Sequence, residues 1–180
     1  MPSAVHLEPF TAADVDRLLG WIPDAEFLML WSGPFFRAPL TRQQLLDYAA
    51  SAQAEPPPRR IYKAVHTPTA EVFGHIELYN FDQRNQSATL GKVLVGQPQG
   101  RGTGLGTQTV NAALEIAFVE LGLHRVDLRV FDFNTPAVRC YQKAGFQIEG
   151  HLRDFRKVGE VYWSSYLMAV LAPDWLQARP

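Results

Sequence analysis

Between a short β-prone run and a long amphipathic one, this chain sets glycines at four alternate positions, Gly100, Gly102, Gly104 and Gly106. No other stretch constrains the fold as tightly. Val93, Leu94 and Val95 are β-prone, and Gly96 and Pro98 stop the strand. From Thr107 onward Val110, Ala113, Leu114, Ala117, Phe118 and Leu121 recur at helical spacing, and Gly122 ends the run. The segment predicts strand, glycine turn and helix. Glycines leave backbone N–H groups unshielded and free to adopt positive φ. Gathered at a helix N-terminus, such donors meet the positive end of the helix dipole and favour a phosphate group.

The spelling narrows the phosphate ligand. A mononucleotide loop ends in Gly-Lys-Ser/Thr, so that lysine reaches the terminal phosphates. Here Gly106 is followed by Thr107 and Gln108, which argues against ATP or GTP. A dinucleotide loop needs G-x-G-x-x-G. Both registers fail, with Leu105 and Thr107 at their last positions. What remains is Arg101-x-x-Gly104-x-Gly106. By itself this pattern does not separate a pyrophosphate loop from an ordinary glycine-rich turn.

The rest of the chain predicts one domain over 1–180, long enough to bury a sizeable core. A net charge of −1 offers no footprint for nucleic acid or an acidic membrane. The single cysteine, Cys140, excludes an internal disulfide and a cysteine-rich metal site, and no metal is expected. No signal-peptide pattern and no long apolar span is found, which predicts a cytoplasmic protein.

Val5 to Phe10 predicts a strand, Ala12 to Trp21 a helix behind Thr11, and Ala25 to Trp31 a second apolar segment. An aromatic-rich loop, Ser32 to Phe36, precedes a helix from Thr41 to about Ala52. Strands at Ile61–His66, Val72–Phe81 and Ser87–Val95 form an antiparallel meander. After the long helix, Arg125 to Phe131 alternates as a strand, and Thr135-Pro136 starts a helix that runs to Gly145. Phe146–Phe155 and Val161–Leu171 form a hairpin.

The block from Asn134 to Phe146, NTPAVRCYQKAGF, is the second motif. Together the two blocks resemble the GNAT N-acetyltransferase superfamily. Its acetyl-CoA pyrophosphate loop is written Gln/Arg-x-x-Gly-x-Gly/Ala, and Asn134, Ala137, Tyr141, Lys143, Gly145 and Phe146 stand at the places of its other signature. The region from Trp31 to Pro39 and the final hairpin look most like the branch that includes ribosomal-protein N-terminal acetyltransferases. The resemblance implies an α/β (α+β) fold: a mixed, mostly antiparallel central sheet flanked by helices, with splayed strands at the acetyl-CoA site.

It also implies roles. Acetyl-CoA is the cosubstrate, and an amine attacks its thioester directly. Leu94, Val95 and Gly96, with Gly102, Thr103, Gly104, Leu105, Gly106 and Thr107, are the implied cofactor contacts. Arg101 stands against the pyrophosphate or shapes the turn. Asn134 holds the cofactor arm or Tyr141, or is a plain turn residue. Tyr141 is the family position for the acid that protonates the leaving sulfur; a phenol of pKa about 10 stays protonated at neutral pH. Lys143 reaches the 3′-phosphate or sits on a solvated face, and Cys140 is expected in the core.

The base is poorly marked. Where some relatives carry a glutamate, this chain has Arg129; where others do, it has Thr89 and Lys92. Glu77, central in its strand, is the best candidate, directly or through water, and His75 shares its face. Trp31, Phe35 and Phe36 are expected either to meet Tyr162 and Trp163 in an aromatic acceptor pocket or to belong to the core or a dimer surface. The acceptor is a small-molecule amine or a protein N-terminus, and the chain a monomer or homodimer. The alternative is a catalytically idle acyl-CoA-binding sensor.

Overall fold

The computed structural model describes residues 4–97, 100 and 102–178. Alternating apolar residues build its sheet. The strands are β1 (Val5–Pro9), β2 (Arg59–His66), β3 (Glu71–Asp82), β4 (Ser87–Val95), β5 (Arg125–Phe131), β6 (Gln147–Val158) and β7 (Val161–Leu171). Their order is β1-β2-β3-β4-β5-β7-β6, and every pairing is antiparallel except β4 with β5. The mixed, mostly antiparallel sheet expected from sequence is therefore observed.

Helices cover both faces. On one lie α1 (Val15–Gly20), α2 (Ala25–Ser32) and α3 (Arg42–Ser51), which enclose Phe10, Leu18, Leu45, Tyr48, Ile61 and Leu94. Two caps hold this layer. The side chain of Asp24 accepts from Phe27 N at 2.8 Å, and Thr41 Oγ1 accepts from Gln44 N at 3.3 Å. On the other face lie α4 (Leu105–Glu115), which continues as a π-helical turn over Ile116–Glu120, and α5 (Thr135–Lys143). Val110, Ala113, Leu114 and Ala117, predicted as the apolar stripe, are fully buried against Ile76, Leu78, Val126 and Leu128. Each such leucine or valine contributes roughly 1.5–3 kcal/mol by burial. A last helix, α6 (Ala172–Gln177), was not expected; it buries Trp175 beside Phe118.

Side-chain alternation then sorts the strand residues by face. Ile76 and Leu78 on β3, and Val126, Leu128 and Val130 on β5, pack toward α4. Glu77, Tyr79, Asp127 and Arg129 therefore project toward the α1–α3 side.

One irregularity positions the site. Glu77 pairs with Gly91 but His75 pairs with Leu94, so Lys92 and Val93 oppose Ile76 alone. This is a β-bulge, which bends the strand that carries it. Lys92 sits there at φ 48°, a left-handed conformation uncommon for a long side chain. On its other edge β4 pairs with β5 only from Ser87 to Thr89, against Arg125 to Asp127. Beyond that point the two strands part.

Candidate active site

The gap between β4 and β5 opens into a cavity of about 880 Å³, within the range of small-molecule sites. Gly100, Gly102, Gly104, Gly106 and Thr107 line one end. Gly102 and Gly104 have φ of 79° and 89°, so the turn needs the left-handed region that glycine alone enters freely. Gly104 is the N-cap of α4, and no acidic side chain occupies the first turn. The unpaired first-turn N–H groups of α4 therefore face an unopposed dipole end. Arg139 and Lys143 on α5 add positive charge to the same wall.

Tyr141 lines the cavity from α5, its ring edge-on to Phe146 with centroids 5.8 Å apart. Among the described residues its hydroxyl has no hydrogen-bond partner. Burial pushes the phenol well above the usual tyrosine range, so it is a proton donor at neutral pH. Asn134, which also lines the cavity, caps α5 by accepting from Ala137 N at 3.4 Å.

Beneath the opposite wall lies a buried charge cluster. Glu77 is fully buried, ion-paired to Lys92 Nζ through Oε1 and to Arg59 Nη1 through Oε2 at 3.1 Å. The Tyr48 hydroxyl donates to the same Oε2 at 2.8 Å. His75 Nδ1 donates to the Lys92 carbonyl at 2.9 Å, which also accepts from Trp31 Nε1 at 2.8 Å. Burial drives His75 down to a pKa of about 4, so the ring is neutral at pH 7. The bulge thus turns one carbonyl toward two donors and one ammonium toward a carboxylate.

The Acetyltransferase (GNAT) domain family model matches residues 5–147. This chain belongs to the GNAT family. It is an N-acetyltransferase with acetyl-CoA as cosubstrate. The GNAT chain is 24% identical over 177 residues to the probable N-acetyltransferase YjcK of Bacillus subtilis, covering 94% of this chain and 95% of that protein. It is 26% identical over 178 residues to the spermidine N(1)-acetyltransferase of Escherichia coli K12, covering 98% and 91%. The crystal structure of spermidine N-acetyltransferase from Vibrio cholerae, in complex with CoA and spermine, superposes with a TM-score of 0.82 at 22% identity, over 97% of this chain and 99% of that one. These relatives do not support the expected placement beside the ribosomal-protein N-terminal acetyltransferases.

The GNAT geometry sorts the residues expected from sequence. Leu94, Val95, Gly102, Gly104, Gly106, Thr107, Asn134 and Tyr141 all line one cavity. Gly96 does not. Its N–H is taken by the Phe73 carbonyl at 2.8 Å, and Trp21 packs so closely that a Cβ would lie 2.0 Å from the indole. Thr103 turns its hydroxyl back to the Gly100 carbonyl at 2.7 Å. Leu105 points its side chain into a cluster with Val5, Ala64 and Phe73, which leaves only its backbone at the helix start. Arg101 lies outside the described residues. Cys140, expected in the core, is half-buried on the cavity wall, where its Sγ accepts from Thr107 Oγ1 at 3.6 Å; burial raises its thiol pKa.

The expected base is corrected. Glu77 lies behind the wall, not on it, and its oxygens already receive Lys92, Arg59 and Tyr48. The carboxylate is thus held by three donors within the buried cluster. The aromatic pocket is corrected too. Trp31 lines the cavity and stacks on Phe36 with centroids 5.8 Å apart. Phe35, however, lies over Lys92 Nζ at 4.0 Å, Trp163 packs on Phe131 and Phe133, and Tyr162 is exposed away from the cavity. Sequence reasoning missed Tyr79, Phe155 and Arg156 on the wall and assigned Arg129 no role. Strand alternation from Leu128 and Val130 is the signal that puts Arg129 on the acceptor face.

Proposed function

We propose that this N-acetyltransferase acts on a primary amine by direct attack on the acetyl-CoA thioester, with Tyr141 as the acid. The neutral amine nitrogen adds to the thioester carbonyl, forming the new C–N bond and a tetrahedral oxyanion, whose collapse breaks the C–S bond. The departing thiolate takes the Tyr141 phenol proton, and the proton released from nitrogen returns to Tyr141 through solvent. The observation that carries this reading is the convergence of three features on one cavity: parted strands, a glycine turn at a helix N-terminus, and a half-buried phenol with no hydrogen-bond partner among the described residues. In this reading the facing edges of β4 and β5 hold the pantetheine arm and acetyl oxygen, main-chain donors of the kind that stabilise developing oxyanions. Asn134, already spent as a helix cap, orients α5 and with it Tyr141.

A small-molecule amine is favoured over a protein N-terminus, because relatives that align over most of the chain are named for spermidine. The test is thiol release from acetyl-CoA across small amines and short N-terminal peptides. Turnover with small amines and none with peptides is expected. Release with peptides alone would overturn the acceptor assignment, and binding of acetyl-CoA without release to any amine would favour the idle sensor.

A further inference from the structure

The acceptor side of the cavity carries a charge pattern that does not suit a polycation. Among the described lining residues are Lys92, Arg129, Arg139, Lys143 and Arg156, and no aspartate, glutamate or histidine. Arg139 and Lys143 stand on α5, with the glycine turn, where coenzyme phosphates would account for them. Arg129 and Arg156 are elsewhere. Arg129 projects from β5 to the face opposite α4, and both guanidiniums flank one ring, with Cζ 5.5 and 4.5 Å from the centroid of Phe155. Among the described residues neither forms an ion pair with a carboxylate. Behind them the single charge of Glu77 is shared by two cations, Lys92 and Arg59, so the foundation of this wall is itself net positive.

Resting on the transferase reading above, we propose that the acceptor is a small amine that also bears an anionic group, carboxylate or phosphate, which Arg129 and Arg156 grip. Guanidinium forks match the planar oxygens of either group, and the Phe155 ring holds both forks in place. A polyamine would bring further positive charges against this wall, and like charges repel. The same field has a catalytic use. Nearby cations favour the uncharged form of an amine, and attack on the thioester requires that form. A cationic wall therefore supplies neutral nucleophile where no lining carboxylate can serve as base.

The experiment pairs amines with and without the anion: phosphoethanolamine with ethanolamine, and an α-amino acid with its amide, each pair compared at equal concentration of neutral amine, with spermidine as the polycation. Thiol release and calorimetric binding to the CoA-bound protein are both read, for the wild type and for Arg129→Gln, Arg156→Gln and the double variant. In at least one pair the anionic member is expected to bind and react about tenfold better or more, with spermidine poorest. In the double variant the ratio within that pair falls to near one. The responsive pair tells carboxylate from phosphate. Spermidine as the best acceptor, equal binding within both pairs, or a preference that survives the double variant would each overturn the inference. Preferential binding of the anionic member without thiol release would uphold it and strike instead at the transfer reading. Thermal melts of each variant separate lost recognition from lost folding.

Discussion

The two sides of the cavity are built from different material. The side at the glycine turn is mostly main chain: first-turn N–H groups of α4, a turn through left-handed glycines, and the parted edge of β4. The opposite side, which we propose takes the acceptor, is side chain: Trp31 from α2, Tyr79 from β3, Arg129 from β5, and Phe155 with Arg156 from β6, over a buried Glu77–Lys92–Arg59 cluster. A main-chain site asks for glycine at particular spacings and so leaves local spelling. A side-chain site is assembled across distant elements, tolerates many residue types, and is where one fold changes acceptors.

Tyr141 stands where the two sides meet, so its removal should harm chemistry without dissolving either. Tyr141→Phe keeps the ring against Phe146 and deletes the transferable proton. We expect kcat to fall by about 10²–10⁴-fold, the usual range for a general acid, with the acetyl-CoA KM nearly unchanged. Steady-state thiol release measures both, and an unaltered kcat would remove Tyr141 from the reaction. The acceptor side should prove the more fragile in folding. Glu77→Gln leaves Lys92 and Arg59 buried around a neutral amide, which should cost about 3–5 kcal/mol in urea unfolding. Full retention of stability would show that the cluster is not the foundation of that wall.

Legibility in the sequence followed the same division. The 3.6-residue stripe of α4 and the alternation of β5 gave their elements closely, because each buries one face against the sheet. The strand order with β7 between β5 and β6 was not legible, since it depends on a long hairpin folding back. Helix α6 was missed because six residues beginning Ala-Pro carry little periodicity. At the site, Gly104, Asn134 and Tyr141, which line the cavity, were singled out through short motifs whose resemblance to the family lies within one segment each. Glu77 was chosen for its central place in a strand, yet its partners Lys92, Arg59 and Tyr48 come from three other elements. The position of Gly96 off the cavity wall was hidden for a similar reason: nothing local reveals that Trp21, far earlier in the chain, covers it.

A side-chain foundation should also feel pH. His75 has a folded pKa of about 4, against about 6.5 for an exposed ring, because burial penalises its charge. Between those values the unfolded chain binds the proton and the folded chain does not, so stability rises with pH across this window. The contribution is complete above about 6.5 and lost as pH falls toward 4. Unfolding at pH 5 should therefore need about 2 kcal/mol less than at pH 7. His75→Gln should flatten that slope, and an equally steep profile in the variant would assign it to other groups.

The main-chain side can be probed by charge alone. Gly104 has φ 89°, so any side chain there is strained, and a single substitution would confuse strain with repulsion. Gly104→Gln and Gly104→Glu share the strain and nearly the same shape; only the carboxylate differs. If the α4 N-terminus holds the coenzyme diphosphate, the Glu variant should bind acetyl-CoA about tenfold more weakly than the Gln variant, a difference of about 1.4 kcal/mol by calorimetry. Added salt should narrow the gap, because two charges facing each other at a solvent-open turn are screened over about 10 Å at 0.1 M. Equal affinities at low salt would detach the diphosphate from this helix end, and with it the division of the cavity into a main-chain side for the coenzyme and a side-chain side for the amine.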